Sequence, residues 1–77
     1  MNKIEFRNIV DTVVDRYNVE WYKVEGYSVE IKFEDLSCAT ECSFIKTHSG
    51  MKACCVGNNP VSDIEKNFVN DVRMLVG

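Results

Sequence analysis

The amino-acid sequence predicts one small α+β domain over residues 1–77: an N-terminal helix, a three- or four-stranded antiparallel meander, and a C-terminal helix (αββββα or αβββα). Apolar residues recur at helical spacing near both ends and alternate with polar residues in the middle, and glycines separate the alternating segments. A chain of 77 residues has room for a single core. The expected form is a two-layer sandwich with both helices on one face of the sheet.

The first helix is predicted over residues 3–17. Asn2 precedes Glu5 by three positions, which is the spacing of a capping box that satisfies early backbone amides. Asn18 is expected to end the helix in the left-handed conformation. The apolar stripe of this helix consists of Phe6, Val10, Val13 and Tyr17, flanked by Ile9 and Val14.

The clearest strand runs from Tyr27 to Phe33, where apolar and polar residues alternate. Glu25 and Gly26 precede it and predict a tight hairpin turn, because glycine readily adopts a positive φ. Residues 20–24 are therefore expected to form the partner strand. That pairing directs Tyr22 and Val24 inward and Trp21 and Lys23 outward.

After a loop at residues 34–40, a second hairpin is predicted to join residues 41–47 to residues 51–56 through His48, Ser49 and Gly50. A three-residue loop puts Cys42, Phe44, Cys54 and Val56 on one face, whereas a two-residue loop turns one strand over, and both registers stay open. With the three-residue loop, the helix-free face carries Trp21, Lys23, Ser28, Glu30, Lys32, Ser43, Ile45, Ala53 and Cys55.

The last helix is predicted to follow the break at residues 57–60. Pro60 suits a first helical turn, and either Asn59 or Ser62 is expected as its cap, with Glu65 at capping-box spacing from Ser62. Its core stripe is predicted to be Val61, Ile64, Phe68, Val72 and Leu75.

Charge and hydropathy exclude several classes of function. The net charge of −3 and the pI of about 5.0 disfavour nonspecific binding to a phosphate backbone. No apolar run reaches the roughly 18 residues of a membrane span, and the N-terminus lacks a signal-peptide apolar stretch, so the expected location is the cytosol. No phosphate-binding glycine loop or hydrolase motif is present, and neither enzymatic activity nor a cofactor is expected.

The cysteines and the single histidine are the residues best suited to chemistry. Thiolates and imidazole favour zinc, but structural zinc sites usually present Cys-x2-Cys pairs, whereas the first two cysteines here are separated by three residues and the last two are adjacent. In the cytosol we expect thiols. A metal-binding or redox module is the alternative function, with Cys38, Cys42, His48, Cys54 and Cys55 as its residues.

Residues 59–66, which open the last helix, include the acidic Asp63 and Glu65. The order helix, meander, helix resembles the double-stranded-RNA-binding domain, but that family opens its last helix with a lysine-rich phosphate-binding motif. Because acidic residues stand where the lysines are needed, the assignment is rejected. A small nucleic-acid-binding domain is kept only as a further alternative.

The remaining hypothesis is a surface for a protein partner. Trp21 is expected to face outward and to bind a partner, because the buried anchor residues of interfaces are disproportionately Trp, Tyr and Arg. The alternative is that Trp21 packs beneath the first helix or the loop at residues 35–40. An acidic row formed by Glu30, Glu34, Asp35 and Glu41 is expected to meet a basic partner, or to mimic a phosphate backbone towards a nucleic-acid-binding protein. The alternative is an ordinary solvated face. We expect a noncatalytic accessory or regulatory protein, such as a phage or mobile-element inhibitor of a host protein, or a homodimer. The candidate partner-binding residues are Trp21, Lys23, Glu30, Lys32, Glu34, Asp35, Glu41 and Ile45.

Overall fold

The computed structural model describes residues 2–57 and 63–76 and has the predicted αββββα order. Its strands form one antiparallel sheet in the order β1-β2-β3-β4, so the meander has four strands, with β1 and β4 at the edges. The elements are α1 (Lys3–Val14), β1 (Val19–Glu25), β2 (Ser28–Phe33), β3 (Thr40–Thr47), β4 (Gly50–Gly57) and α2 (Asp63–Val76).

The core lies between the two helices and one face of the sheet, which confirms the two-layer arrangement. An aromatic cluster joins the layers: the ring centroids of Phe33 and Phe68 are 5.6 Å apart, and Tyr17 lies 5.9 Å from each in an edge-on geometry. The buried apolar residues are Phe6, Val10, Val13, Val14, Val29, Ile31, Phe33, Cys42, Phe44, Phe68 and Val72.

The first helix begins where the sequence predicts and ends earlier. The side-chain oxygen of Asn2 accepts a hydrogen bond from the Glu5 amide at 2.8 Å, which confirms the N-cap. The amides of Arg16 and Tyr17 bond carbonyls three residues back, so a tighter turn replaces the last helical turn expected. No described residue other than glycine has a positive φ, and the predicted left-handed Asn18 was therefore wrong.

The first hairpin has a two-residue turn formed by Gly26 and Tyr27. Gly26 has φ +59° and Tyr27 does not have a positive φ, which is the pattern of a type II′ turn. Tyr27 therefore lies in the turn and packs edge-on against Phe6, with ring centroids 5.5 Å apart. As predicted, Tyr22 and Val24 stand opposite core residues of β2, and Trp21 and Lys23 stand opposite its outward residues.

The second hairpin has the shorter of the two loops considered. Thr47 pairs with Gly50, leaving only His48 and Ser49 between the strands. The Thr47 hydroxyl donates to the Gly50 carbonyl at 2.8 Å, and Gly50 has φ +125°, a value that favours glycine. Thr47 therefore pairs with Gly50, and not with Met51 as a three-residue loop requires.

The shorter loop turns β4 over relative to the expected register. Ala53 stands opposite Phe44, and Cys55 stands opposite Cys42, so both lie on the core side. Cys54 faces outward. The expected placement of these three β4 residues was therefore wrong, because a one-residue shift in pairing exchanges the two faces of a strand.

The second helix buries Phe68 and Val72 as predicted and holds Ile64 partly buried. Leu75 is 46 % exposed, contrary to the prediction, while Val69 and Val76 pack against the core. No helix in the described ranges has the length and apolar character needed to cross a membrane. The predicted first-turn and capping residues Asn59, Pro60, Val61 and Ser62 lie outside the described residues.

Candidate interaction face

Both helices cover the same side of the sheet, and no helix or strand of the described residues lies on the other side, which we call the outer face. Strand periodicity and the observed register decide which side chains it carries. They include Glu20, Trp21, Lys23, Glu25, Ser28, Glu30, Lys32, Glu41, Ser43, Ile45, Thr47, Lys52 and Cys54.

Trp21 lies at one end of the outer face and is 44 % exposed. Its outward direction is confirmed, and its role in binding stays a prediction. The β1 register shifts between Val19 and Trp21, which is a bulge. The carboxylate of the intervening Glu20 lies 3.2 Å from the Lys32 ammonium, so the bulge brings Glu20 to the outer face beside Trp21. Strict alternation places Glu20 on the face opposite to Trp21, so the sequence pattern does not predict its position.

Lys32 is engaged within the protein. Its ammonium pairs with Glu20 and donates to the carbonyl oxygens of Phe33, at 2.8 Å, and Leu36. Only 16 % of its side chain is exposed. Lys32 therefore holds the connection after β2 in place, and we expect it to support the face rather than bind a partner directly.

Two glutamates face each other in the middle of the outer face. Glu30 of β2 stands directly opposite Glu41 of β3, and neither forms an ion pair within the described ranges. Like charges in this position destabilise a sheet by tenths of a kcal/mol up to about 1 kcal/mol. Lys23 stands directly opposite Glu30 on β1 but binds Glu25 at 2.9 Å. The hydrogen bond to Glu25 and, to a smaller extent, the charge of Glu30 raise the pKa of Lys23. Three carboxylates thus surround one ammonium, and the centre of the face keeps a net negative charge.

A hollow of about 350 Å³ adjoins these glutamates. Its floor includes Ser28 and Ser43, which pair across β2 and β3 with hydroxyl oxygens 3.2 Å apart. The hollow exists because these small side chains stand among longer ones. We call it the acidic hollow; its walls include Lys23, Glu25, Glu30 and Glu41.

The exposed apolar side chains of the outer face flank the acidic hollow and do not form one patch. Trp21 is level with Lys32, four residues beyond Ser28 on β2, whereas Ile45 lies two residues beyond Ser43 in the opposite direction. At about 3.3 Å per residue they are roughly 20 Å apart along the strands. Ile45 is 57 % exposed. The face therefore offers two separate apolar contacts around a charged centre.

The predicted acidic row is divided in the structure. Glu30 and Glu41 lie on the outer face, whereas Glu34 and Asp35 are exposed in the connection between β2 and β3. The Glu34 amide donates to the Asn18 carbonyl at 3.0 Å, which ties that connection to the start of β1. Sequence proximity grouped four carboxylates that the fold separates into two pairs.

The cysteines do not converge on one site. The sulfur atoms of the buried Cys42 and the exposed Cys55 are 2.7 Å apart on the helix side of the sheet, whereas Cys54 is exposed on the outer face. Cys38 lies in the connection before β3, and His48 is exposed at the tip of the second hairpin. Within the described ranges, no group of three or more metal-ligating side chains is placed to hold an ion.

The environment of the Cys42 thiol also opposes nucleophilic chemistry. Burial, followed by the contact with Cys55, raises the pKa of Cys42, and burial raises the pKa of Cys55 as well. Thiolates are the reactive and metal-binding form of cysteine. Both thiols are therefore protonated at neutral pH, and their contact joins the buried Cys42 of β3 to the exposed Cys55 of β4.

Comparison with protein-family models, curated proteins and solved structures gave no match. Function must therefore be inferred from the side chains themselves.

Proposed function

We propose that the protein is a noncatalytic interaction module that binds a partner protein through its outer face. The observation that carries this proposal is the opposed pair Glu30 and Glu41, which stands without an ion-pair partner from the described residues in the middle of a face that no described element covers. A cation from outside the chain relieves the repulsion between the two carboxylates. Binding therefore gains energy that the isolated fold lacks.

The matching partner is a basic protein surface. An arginine suits the acidic hollow because its planar guanidinium binds carboxylates through paired hydrogen bonds, and the serine hydroxyls on the floor accept further ones. Trp21 and Ile45 supply apolar contacts on either side. A protein that ordinarily binds phosphate groups fits this description, because the glutamate carboxylates present negative charge as phosphates do.

The size of the face sets the strength of binding. Strands of six to eight residues at about 3.3 Å per residue, in a sheet of four strands about 4.8 Å apart, span on the order of 500 Å². Covering it buries on the order of 1,000 Å² over both partners, at the lower end for specific complexes. The proposal is accordingly a reversible accessory or regulatory contact in the cytoplasm, such as that of a phage or mobile-element inhibitor with a host protein.

Affinity capture followed by a binary measurement tests this function. The wild-type protein, Trp21→Ala and the double variant Glu30→Lys/Glu41→Lys are used to capture proteins from source-cell lysate. The protein captured is then purified and titrated by calorimetry. We expect at least tenfold weaker binding for both variants and little change for Glu5→Lys, an exposed control on α1. Equal affinity across these proteins contradicts a docking role for the outer face.

Native mass spectrometry separates this proposal from the alternative metal module. The protein is measured after exposure to zinc, with and without a chelator. A mass equal to the bare chain in both samples is expected, because the described residues form no ligand cluster. One zinc ion held per chain and removed by the chelator would favour the alternative.

A further inference from the structure

The two edges of the sheet differ in how they are protected. Edge strand β1 contains a bulge and the charged residues Glu20, Lys23 and Glu25, features that discourage pairing with another chain. Edge strand β4 has eight residues in unbroken register with β3, and its only charged residue is Lys52. β4 is therefore the edge that is open to a further strand.

The main chain of β4 presents hydrogen-bonding groups away from the sheet. The Met51 carbonyl accepts from the Arg73 side chain of α2 at 3.0 Å, so it points away from β3. Because backbone direction alternates along a strand, the amides and carbonyls of Ala53 and Cys55 point the same way. No strand of the described residues lies beside them.

A groove runs along this edge between β4 and α2. A hollow of about 370 Å³ is bounded by Ala53 and Cys55 on the strand and by Lys66, Val69 and Asn70 on the helix, with Glu65 beside them. Two further hollows extend the groove past Met51 and Arg73 to Met74, which is 81 % exposed. We call the whole channel the β4–α2 groove. Small side chains on the strand leave room beside apolar atoms of the helix.

The charges around the β4–α2 groove are mainly positive, although the chain has a net charge of −3. Lys52, Lys66 and Arg73 are all exposed along it. Among the described residues that line it, Glu65 is the one carboxylate, and it accepts a hydrogen bond from the Thr40 hydroxyl at 2.7 Å. The groove is thus complementary to an acidic ligand, in contrast to the outer face.

We propose that the β4–α2 groove binds an acidic peptide in extended conformation as a fifth strand beside β4. The peptide main chain pairs with the outward groups of Ala53 and Cys55. Its inward side chains pack on Val69 and Met74, and its carboxylates meet Lys66 and Arg73. Main-chain pairing supplies affinity and the alternate side chains supply selectivity, as in other cases of strand addition.

Titration with synthetic peptides tests this site. The probe is a fluorescein-labelled octapeptide with serine at every second position and glutamate and valine in turn at the others, so that both can face α2. It is compared with the same peptide carrying lysine in place of glutamate and with the acidic peptide N-methylated at alternate amides. Binding is followed by fluorescence anisotropy at low salt and by amide NMR shifts. We expect at least tenfold preference for the unmethylated acidic peptide, with the largest shifts at Ala53 and Cys55.

Two variants keep the result specific to the groove. Lys66→Glu reverses an exposed charge on its rim and is expected to weaken acidic-peptide binding at least fivefold, whereas Lys3→Glu on α1 is the matched control with the same charge change. Glu30→Lys/Glu41→Lys, which tests the outer face, should leave peptide binding undiminished. The two sites can thus fail independently.

The proposal is overturned if the acidic peptide does not bind at millimolar concentration or if the N-methylated peptide binds equally well. Shifts confined to the outer face contradict it as well. A dimer detected by sedimentation, with its NMR contacts along β4, would assign the edge to a second copy of the chain instead of a peptide.

Discussion

The Tyr17 hydroxyl at the end of the first helical segment donates a hydrogen bond to the Asp71 carboxylate of α2 at 2.7 Å. Arg16 lies 3.9 Å from the same carboxylate at a partly exposed position and adds little. Desolvation by burial, together with the bond to Asp71, raises the pKa of Tyr17 to about 12. This contact fixes the two helices against each other on the side of the sheet opposite the outer face.

Replacing Tyr17 by phenylalanine is expected to lower the free energy of unfolding by about 1–2 kcal/mol, since the bond involves a charged acceptor. Because the folded pKa is raised above 10, the stabilisation is complete below pH 10 and is lost as the pH rises towards 12. Urea unfolding at a series of pH values measures this. Tyr17→Phe should show a smaller loss between pH 10 and pH 12 than the wild type; equal losses contradict the assignment.

The cysteines are expected to react with iodoacetamide in an order set by exposure. Cys54 is exposed on the outer face and should be modified first, whereas Cys42 is buried with a raised pKa and should be modified last. Timed labelling of the reduced protein at pH 8, followed by peptide mass spectrometry, gives the order. Labelling of Cys42 at the rate of Cys54 would contradict the burial of Cys42 in the core.

Neutralising one of the two opposed glutamates should affect stability and binding in opposite directions. Glu41→Gln removes repulsion from Glu30, keeps the attraction between Glu30 and Lys23, and is expected to raise the free energy of unfolding by a few tenths of a kcal/mol. The same change should weaken binding of the partner severalfold, because the acidic hollow loses a charge. Urea unfolding and calorimetry measure the two quantities. If stability and affinity both rise or both fall, the result argues against a functional role for the opposed glutamates.

Removing Trp21 should cost the fold much less than removing a core aromatic residue. Trp21→Ala is expected to change the free energy of unfolding by less than about 1 kcal/mol, since the side chain is 44 % exposed. Phe6→Ala should cost about 3–5 kcal/mol because Phe6 is fully buried. Thermal or urea unfolding compares them. A Trp21→Ala cost near that of Phe6→Ala would assign Trp21 a mainly structural role.

The sequence predicts those parts of the fold in which buried residues recur at the regular spacing of a strand or a helix. Alternation at Val29, Ile31 and Phe33 identifies the central strand, because one face of β2 contacts the helices and the other does not. The stripe of α1 is found for the same reason, and the capping oxygen of Asn2 marks its start. A strand or a helix that buries only one face therefore leaves a periodic pattern of apolar residues in the sequence.

The remaining features depend on local geometry that periodicity does not encode. A loop shorter by one residue exchanged Cys54 and Cys55 between faces, and a bulge brought Glu20 to the outer face. Leu75 continues the helical stripe in sequence but lies near the helix end, where it stays 46 % exposed. The outward direction of the residues named on β2 and β3, and of Trp21 and Lys23 on β1, was therefore predicted correctly, whereas Glu20 was missed and the faces of β4 were exchanged.

The most direct test of the central claim is an amide NMR footprint of the bound partner on the isotopically labelled protein. Binding through the outer face predicts that the largest shifts occur at residues around Glu30 and Glu41, extend to Trp21, and are absent from the exposed side of α1. Shifts concentrated on the helices, with residues around Glu30 and Glu41 unchanged, would contradict the proposed function.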